Sequence, residues 1–564
     1  MNTNKKGVRI IAETCMRKGI RKVVFSPGSR SAPLVIAFSQ IKEVECIVIP
    51  DERSAGYFAL GMAQQLGETV VVVCTSGTAV LNLAPAVCEA FYQQVPLLIL
   101  TADRPQEAVE KGENQAIIQD NIFGHFALSL SVNGDAEGKK ELIGISKDVC
   151  LAINNTRSSS PIVGHINVRM AEPLYQTTSA SFDRDLVYDS SLKENFSIKQ
   201  THKKHITRQI QNNKTVMLVV GLKPYNSDFN KRLNLLSKRN DIIILAENIS
   251  NVRLSKVVRN TDACISLMNE EDSFQPDLVV TLGGAIVSKK LKQFLNGKPK
   301  LHWDIPSKLS FGKTRAMFGS MYEEMFPVNE IEFLDAILNA PEKPSSFRKN
   351  WLDLSQKAEL LTANFLKKAR FSDLKAFQII TSNFPDKANI QLGNSTPVRY
   401  TNLLPYNTRN SFNANRGTSG IDGCLSTAAG AAHVNRNKTV CITGDVSFFY
   451  DSNALWNNYL SPDFRIIILN NSGGNIFRLI DGPGKVKDFE IFFETAHNLN
   501  AKHLAGMYDL PYYFCDSTNK LESILQKFYQ PQKGRAAILE IKTNNEISAA
   551  TYKAYFEFLK QHKS

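Results

Sequence analysis

The sequence predicts an α/β protein made of three doubly wound parallel-sheet domains. Three observations carry that expectation. Short β-branched and aliphatic runs of strand length recur along the 564 residues, helix-length segments separate them, and the runs end in small polar residues. A chain of this length exceeds one hydrophobic core. Two stretches without periodicity, about Ala171 to Gln211 and Pro341 to Ser346, read as linkers and divide it into domains at 1–185, 205–340 and 350–564.

In the first domain Val8 to Lys18 has helical spacing, and Val23-Val24-Phe25 reads as a strand ending in Ser26-Pro27-Gly28-Ser29-Arg30-Ser31. A strand-to-helix turn with Gly, Ser and Arg can offer N–H groups and a guanidinium to an anion, or can simply cap a helix. The strand Ile47-Val48-Ile49 leads to Asp51-Glu52-Arg53-Ser54-Ala55-Gly56, which opens a small-residue helix to Gln65. Strand Val70 to Cys74 ends in Thr75-Ser76-Gly77, and strand Leu97 to Leu100 ends in Thr101-Ala102-Asp103-Arg104-Pro105. The polar loop Gly112-Glu113-Asn114-Gln115 follows. Polar clusters at successive strand ends predict one functional edge.

The central domain has strands at Val216 to Val220, Ile242 to Leu245, Leu278 to Leu282 and Leu301 to Trp303. Its Gly283-Gly284 turn lacks dinucleotide-binding spacing, so nicotinamide is not expected there. In the third domain the strand Asn389 to Leu392 ends in Gly393-Asn394-Ser395, with Arg399 one turn on. Asn415-Arg416-Gly417-Thr418-Ser419-Gly420-Ile421-Asp422-Gly423 precedes a small-residue helix, Leu425 to Ala432. The strands Thr439 to Thr443 and Ile466 to Leu469 stop at Gly444-Asp445-Val446-Ser447 and Asn470-Asn471-Ser472-Gly473-Gly474, and Ala536 to Ile541 is the last strand. An Asp, an Asn amide oxygen and a Gly-rich turn with free carbonyls are hard donors, suited to magnesium that keeps phosphate oxygens in its shell. The pattern reads as a metal-diphosphate site, although the same residues also build turns without a ligand.

Composition narrows the class. No run of eighteen apolar residues occurs and the start, MNTNKKGVRI, lacks a signal-peptide core, so a cytoplasmic protein without stable membrane association is expected. Nine cysteines in apolar contexts, with no C-x-x-C, read as reduced core thiols. The formal net charge of +13 is dispersed, which suits a basic cleft for polyanionic small molecules better than a nucleic-acid surface.

Asp445 and Asn471 stand 26 positions apart, which resembles the thiamin diphosphate signature of a Gly-Asp pair followed by Asn-Asn. With SPGSRS, DERSAG, TSGTA, TADRP, GENQA, GNS, NRGTSGIDG, GDVS and NNSGGNIF in this order, the chain resembles the 2-succinyl-5-enolpyruvyl-6-hydroxy-3-cyclohexene-1-carboxylate synthases, thiamin-dependent enzymes of menaquinone biosynthesis. Val446, where many thiamin enzymes carry Gly, is a departure that this family tends to share. The match is strongest in the first and third domains.

The resemblance implies a pyrimidine-binding first domain, a central domain that lost cofactor binding and a diphosphate-binding third domain. Active sites would lie at the subunit interface of a homodimer or homotetramer. Asp445, Asn471 and Gly473 would hold Mg2+ or Mn2+, and Glu52 would be the catalytic glutamate on the aminopyrimidine ring of thiamin diphosphate. Ile421 would fold the cofactor, Ile476 and Phe477 would wall its thiazolium, and Thr75, Ser76, Gly77, Ser395, Gly444, Val446 and Ser447 would complete its site. The implied reaction is decarboxylation of 2-oxoglutarate and 1,4-addition of the resulting succinyl carbanion to isochorismate. Such substrates demand cations: Arg30, Arg104, Arg399 and Arg416, with Ser29, Asn114, Gln115 and Ser395 beside them, and Lys289 and Lys290 from the central domain. Arg suits this role because its planar fork donates two parallel hydrogen bonds to a carboxylate. The alternatives are another thiamin diphosphate-dependent 2-oxoacid decarboxylase or carboligase and, on charge alone, a nucleic-acid-binding protein.

Overall fold

Valines and a cysteine fill Val70–Cys74 without a polar interruption, and the strand is buried on both faces. Such a run belongs in the middle of a parallel sheet, where helices cover each side. The computed structural model describes residues 1–159, 161–182, 184–188, 200–269, 272–297, 299–305, 323–325, 329–480 and 482–563, and places Val70–Cys74 third in a six-stranded parallel sheet. The spatial order is Glu45–Val48, Lys22–Phe25, Val70–Cys74, Leu97–Asp103, Val163–Arg169, Ala127–Asn133. The chain therefore reverses direction across the sheet between Lys22–Phe25 and Val70–Cys74, which is where ligands bind in open α/β sheets.

A second six-stranded parallel sheet repeats the same order with Ser411–Ala414, Asn389–Leu392, Thr439–Gly444, Phe464–Asn470, Ala537–Lys542 and Tyr512–Cys515. Its reversal falls between Asn389–Leu392 and Thr439–Gly444. The central sheet runs Ile242–Ala246, Val216–Val220, Leu278–Leu282, Leu301–Ile305, Glu323–Met325, also parallel. Here the loops at the reversal bond each other: Gly221 N–H donates to Leu282 O at 2.9 Å, Leu222 N–H to Ala285 O at 3.0 Å and Gly284 N–H to Leu222 O at 2.7 Å. A Cβ on Gly221 would meet Gly284 O at 2.4 Å, so glycine is needed for this backbone stitch.

The chain groups into two compact units: Met1–Glu194 with Asn415–Arg436 and Tyr450–Ser461, and Asn195–Ala414 with Asn437–Phe449 and Pro462–Ser564. In the second unit one apolar core serves both sheets, threaded by the helix Phe347–Lys368. Its Trp351 is fully buried, edge-on to Phe274 and Phe294, with its indole N–H donating to Phe274 O at 3.2 Å.

Five strands of the three parallel sheets were not foreseen: Ala127–Asn133, Val163–Arg169, Glu323–Met325, Ser411–Ala414 and Tyr512–Cys515. They are short or carry polar residues such as His165, Asn167 and Asn413, which break the aliphatic pattern. The expected linker from Ala171 to Gln211 contains a helix, Gln200–Asn212, whose Ile206 and Ile210 lie one turn apart and are buried. Residues 189–199 of that stretch lie outside the described residues.

Within the first unit the helix Glu52–Leu66 packs directly on the helix Cys424–Val434. A Cβ at Gly61 would stand 1.9 Å from Thr427 O, and one at Gly430 would stand 1.9 Å from Phe58 O. The small residues noted in the sequence thus let two backbones touch. Gly61→Ala and Gly430→Ala are each expected to destabilise the protein by about 3 kcal/mol, the upper end for overpacking, because the obstacle is backbone; chemical denaturation of the two variants checks this.

Candidate active site

The second unit supplies oxygen donors. Asp445 ends the strand Thr439–Gly444 and is buried; its Oδ1 accepts from Val446 N–H at 2.8 Å and its Oδ2 from Gly473 N–H at 3.0 Å. His497 Nε2 lies 3.4 Å from the same Oδ2. Asn471, one residue past the strand Phe464–Asn470, donates through Nδ2 to Asp373 Oδ2 at 2.7 Å. Its Oδ1 is buried and has no partner. Burial and the charge of Asp445 raise the Asp373 carboxyl above the usual carboxylate range, and hydrogen bonds from Thr543, Asn471 and Asn475 oppose them.

Gly473 has φ +154, and a Cβ there would meet Glu494 O at 2.7 Å. Gly474 N–H donates to Glu494 O at 2.6 Å, while Arg478 forks onto the Glu494 carboxylate with two bonds of 2.6 Å. The loop is therefore tied from both sides. Among the described residues no three His, Cys, Asp or Glu side chains form a cage. One carboxylate, one amide oxygen and a backbone carbonyl fit a hard divalent cation whose remaining octahedral positions go to phosphate and water oxygens.

Around this loop lie the other expected residues of the unit. Ser395, with φ +74, turns the chain after Asn389–Leu392 into the helix Thr396–Thr401, across the sheet reversal from Gly444. Gly444 has open space at its Cα, Val446 is half-buried and Ser447 is buried. Ile476 and Phe477 are half-buried on the short helix Ile476–Leu479, and Phe477 meets the Phe493 ring edge-on at 5.9 Å.

Arg399 donates to Ser395 O, and burial lowers its pKa against the opposing charges of Tyr552 and Asp262. Lys289 and Lys290 open a helix, Lys289–Leu295. Lys289 is exposed, whereas Lys290 Nζ sits 4.4 Å above the Phe556 ring, and burial lowers its pKa. Both Lys290 and Arg399 act on the half-buried Asp262 carboxyl.

The first unit supplies Glu52 and guanidiniums. Asp51 caps the helix Glu52–Leu66 by accepting from Ser54 N–H at 3.0 Å, which fixes Glu52 in the first turn. Asn82 Nδ2 donates to Glu52 Oε2 at 3.1 Å. Tyr57, farther along this helix, donates to Asp422 Oδ2 at 2.8 Å, and Glu89 accepts from Gly417 N–H and Thr418 N–H, each at 2.7 Å. These two anchors bracket the loop that carries Arg416 and Ile421.

Arg30 is buried, donates to Met170 O at 3.1 Å and pairs with Glu172 at 2.9 Å. Arg104 donates to Ser76 Oγ at 2.7 Å and to Gln115 O at 3.1 Å. Burial and the positive charge of Arg30 lower the Arg104 pKa, so two guanidiniums converge on one edge. Thr75 Oγ1 is buried without a partner, and Gly77 N–H is held by Gln119 Oε1 at 3.0 Å. Ser29, Asn114 and Gln115 are exposed.

Residues 5–123 match the family described as thiamine pyrophosphate enzyme, N-terminal TPP binding domain, and residues 393–541 match thiamine pyrophosphate enzyme, C-terminal TPP binding domain. Each match falls on one of the two sheets of identical strand order, and the second includes the turns that carry Asp445 and Asn471; together they define a thiamine pyrophosphate enzyme. Relatives narrow the class. The chain is 37% identical to the 2-succinyl-5-enolpyruvyl-6-hydroxy-3-cyclohexene-1-carboxylate synthase of Flavobacterium psychrophilum, over 97% of this chain and 98% of that one. It is 36% identical to the proteins of the same name from Porphyromonas gingivalis, over 99% and 98%, and Flavobacterium johnsoniae, over 97% and 98%. The chain belongs to the 2-succinyl-5-enolpyruvyl-6-hydroxy-3-cyclohexene-1-carboxylate synthase family.

Sequence reasoning missed the supports: Asp373, Glu494 with Arg478, His497, Glu89, Tyr57 and Gln119. Each acts on a residue far along the chain, and only the cap-like Ser372-Asp373 pair carried a local signal. Gln119 belongs to a buried network in which Asn167 Oδ1 accepts from Gln119 at 2.8 Å and from Thr101 at 2.9 Å, while His165 bonds Thr101 and Ser129, each at 2.9 Å. Burial pushes the His165 imidazole down from 6.5 to about 4. A depressed folded pKa means that the neutral ring contributes stability above pH 6.5 and that this is lost as pH falls towards 4. In NMR titration His165 is expected to keep neutral-ring shifts at pH 5.5.

Proposed function

We propose that this chain decarboxylates 2-oxoglutarate and adds the succinyl unit in 1,4 fashion to isochorismate, forming 2-succinyl-5-enolpyruvyl-6-hydroxy-3-cyclohexene-1-carboxylate for menaquinone biosynthesis. The observation that carries the reading is the buried, unpaired Asn471 Oδ1 in the loop that bonds Asp445 through Gly473 N–H, in a chain of this family. A plain turn would satisfy that oxygen internally, since leaving it bare costs about 1–3 kcal/mol.

Asp445, Asn471 and the Gly473 carbonyl hold the divalent metal, Mg2+ or Mn2+. Gly444, Val446, Ser447 and Ser395 border the diphosphate, Thr75, Ser76 and Gly77 the pyrimidine end, and Ile421, Ile476 and Phe477 give apolar walls. Thiamin diphosphate, when bound, supplies the electron sink that carbanion chemistry needs. Glu52 holds a proton at the aminopyrimidine ring nitrogen, with Asn82 fixing one carboxyl oxygen. Arg30 and Arg104 exchange their exposed partners Glu172 and Glu113 for substrate carboxylates. Arg399, Arg416 and Lys290 serve the remaining carboxylates, with Lys289, Ser29, Asn114 and Gln115 at the margin.

The domains 1–185, 205–340 and 350–564 act as the pyrimidine-binding, central and diphosphate-binding parts. The working form is at least a homodimer, or a homotetramer, in the cytoplasm, with sites at the subunit interface. Glu52→Gln is expected to lower product formation at least about 100-fold, the range for general acid–base groups, with metal binding retained; near-normal turnover would overturn the role. Consumption of 2-oxoglutarate should depend on isochorismate. Rapid aldehyde release unaffected by isochorismate would favour a simple decarboxylase.

A further inference from the structure

Asp373 is the first residue of the helix Asp373–Ser382 and is fully buried. Its backbone N–H donates to Ser548 Oγ at 3.0 Å. Its carboxylate accepts from Thr543 Oγ1, from Asn471 Nδ2 at 2.7 Å and from Asn475 Nδ2 at 3.5 Å. An acid in the first turn suits the helix dipole, but that does not explain why two amides face it. A carboxylate only accepts, so each amide turns its NH2 group inward and its carbonyl oxygen away. Both oxygens freed in this manner, Asn471 Oδ1 and Asn475 Oδ1, are buried without a partner. Two bare amide oxygens next to the Asp445 loop are a costly arrangement unless a cation draws on them.

We propose that Asp373 is a positioning residue that orients both amides towards the metal, and that Asn475 adds an amide oxygen to the cation's surroundings. The inference rests on the metal reading given above. Asp373 acts through its neighbours, as carboxylates behind metal-bound histidines do.

The test is titration of Mn2+ into protein saturated with thiamin diphosphate, with free Mn2+ followed by electron paramagnetic resonance. Asp373→Asn preserves shape but presents an NH2 group to Asn471, forcing its amide to flip. Mn2+ affinity is expected to fall about 10- to 100-fold, the usual cost of losing an outer-shell partner. The exchanged pair Asp373→Asn with Asn471→Asp restores the donor–acceptor match and still offers an oxygen to the cation. It should recover affinity to within about tenfold of wild type, on the same scale. Asn475→Leu, similar in volume, should weaken Mn2+ as well. Unchanged affinity in Asp373→Asn, or an exchanged pair as weak as the single variant, overturns the positioning role. Unchanged affinity in Asn475→Leu removes that residue from the proposal. Wild-type protein that binds no Mn2+ overturns the metal reading itself, which separates the two failures.

Discussion

Parallel hydrogen bonding commits every strand of a sheet to end on the same edge, and the functional chemistry of this chain follows from that constraint. In the first sheet the edge gathers Arg30, Thr75, Ser76 and Arg104, residues spread over three strand ends. In the sheet of identical order it gathers Ser395, Asp445 and Asn471. Neither group is a contiguous motif, yet each is assembled by short strands whose buried residues hold it in register.

Buried acids then set the loops that leave those edges. Glu89 takes two backbone N–H groups of the loop carrying Ile421, and Glu494 takes the Arg478 fork beside Gly474. Asp451 accepts from Ser426 N–H at 2.7 Å and from Ser426 Oγ at 2.6 Å at the start of the helix Cys424–Val434. Burial pushes its carboxyl up to about 7 against those bonds. Glu540 receives Asn470, Ala501 N–H and Tyr512. The shared logic is that loops with few apolar side chains are fixed by charge-assisted hydrogen bonds from the adjoining core.

What could be read from the sequence followed how local its cause was. Val70–Cys74 and Ile466–Leu469 were legible because a parallel strand needs only its own apolar run. Asp445 and Asn471 were legible because each directly follows a strand. Ala127–Asn133 and Val163–Arg169 were not, since their polar residues are satisfied by partners such as Gln119 and Thr101. Asp373 lies 98 residues from Asn471, and Glu89 lies 328 from Gly417, so nothing near either pair in the sequence announces it. The segment Asn415–Arg436, read as part of 350–564, groups with the first unit because Gly61 and Gly430 admit a backbone approach that composition only hinted at.

The stitched loops of the central sheet have a different consequence. Gly221, Leu222, Gly284 and Ala285 meet at that reversal through peptide groups already bonded to one another, so the two loops hold each other in place. A side chain larger than hydrogen at Gly221 would part this seam, which ties the end of the strand Val216–Val220 to the loop leading into the helix Lys289–Leu295.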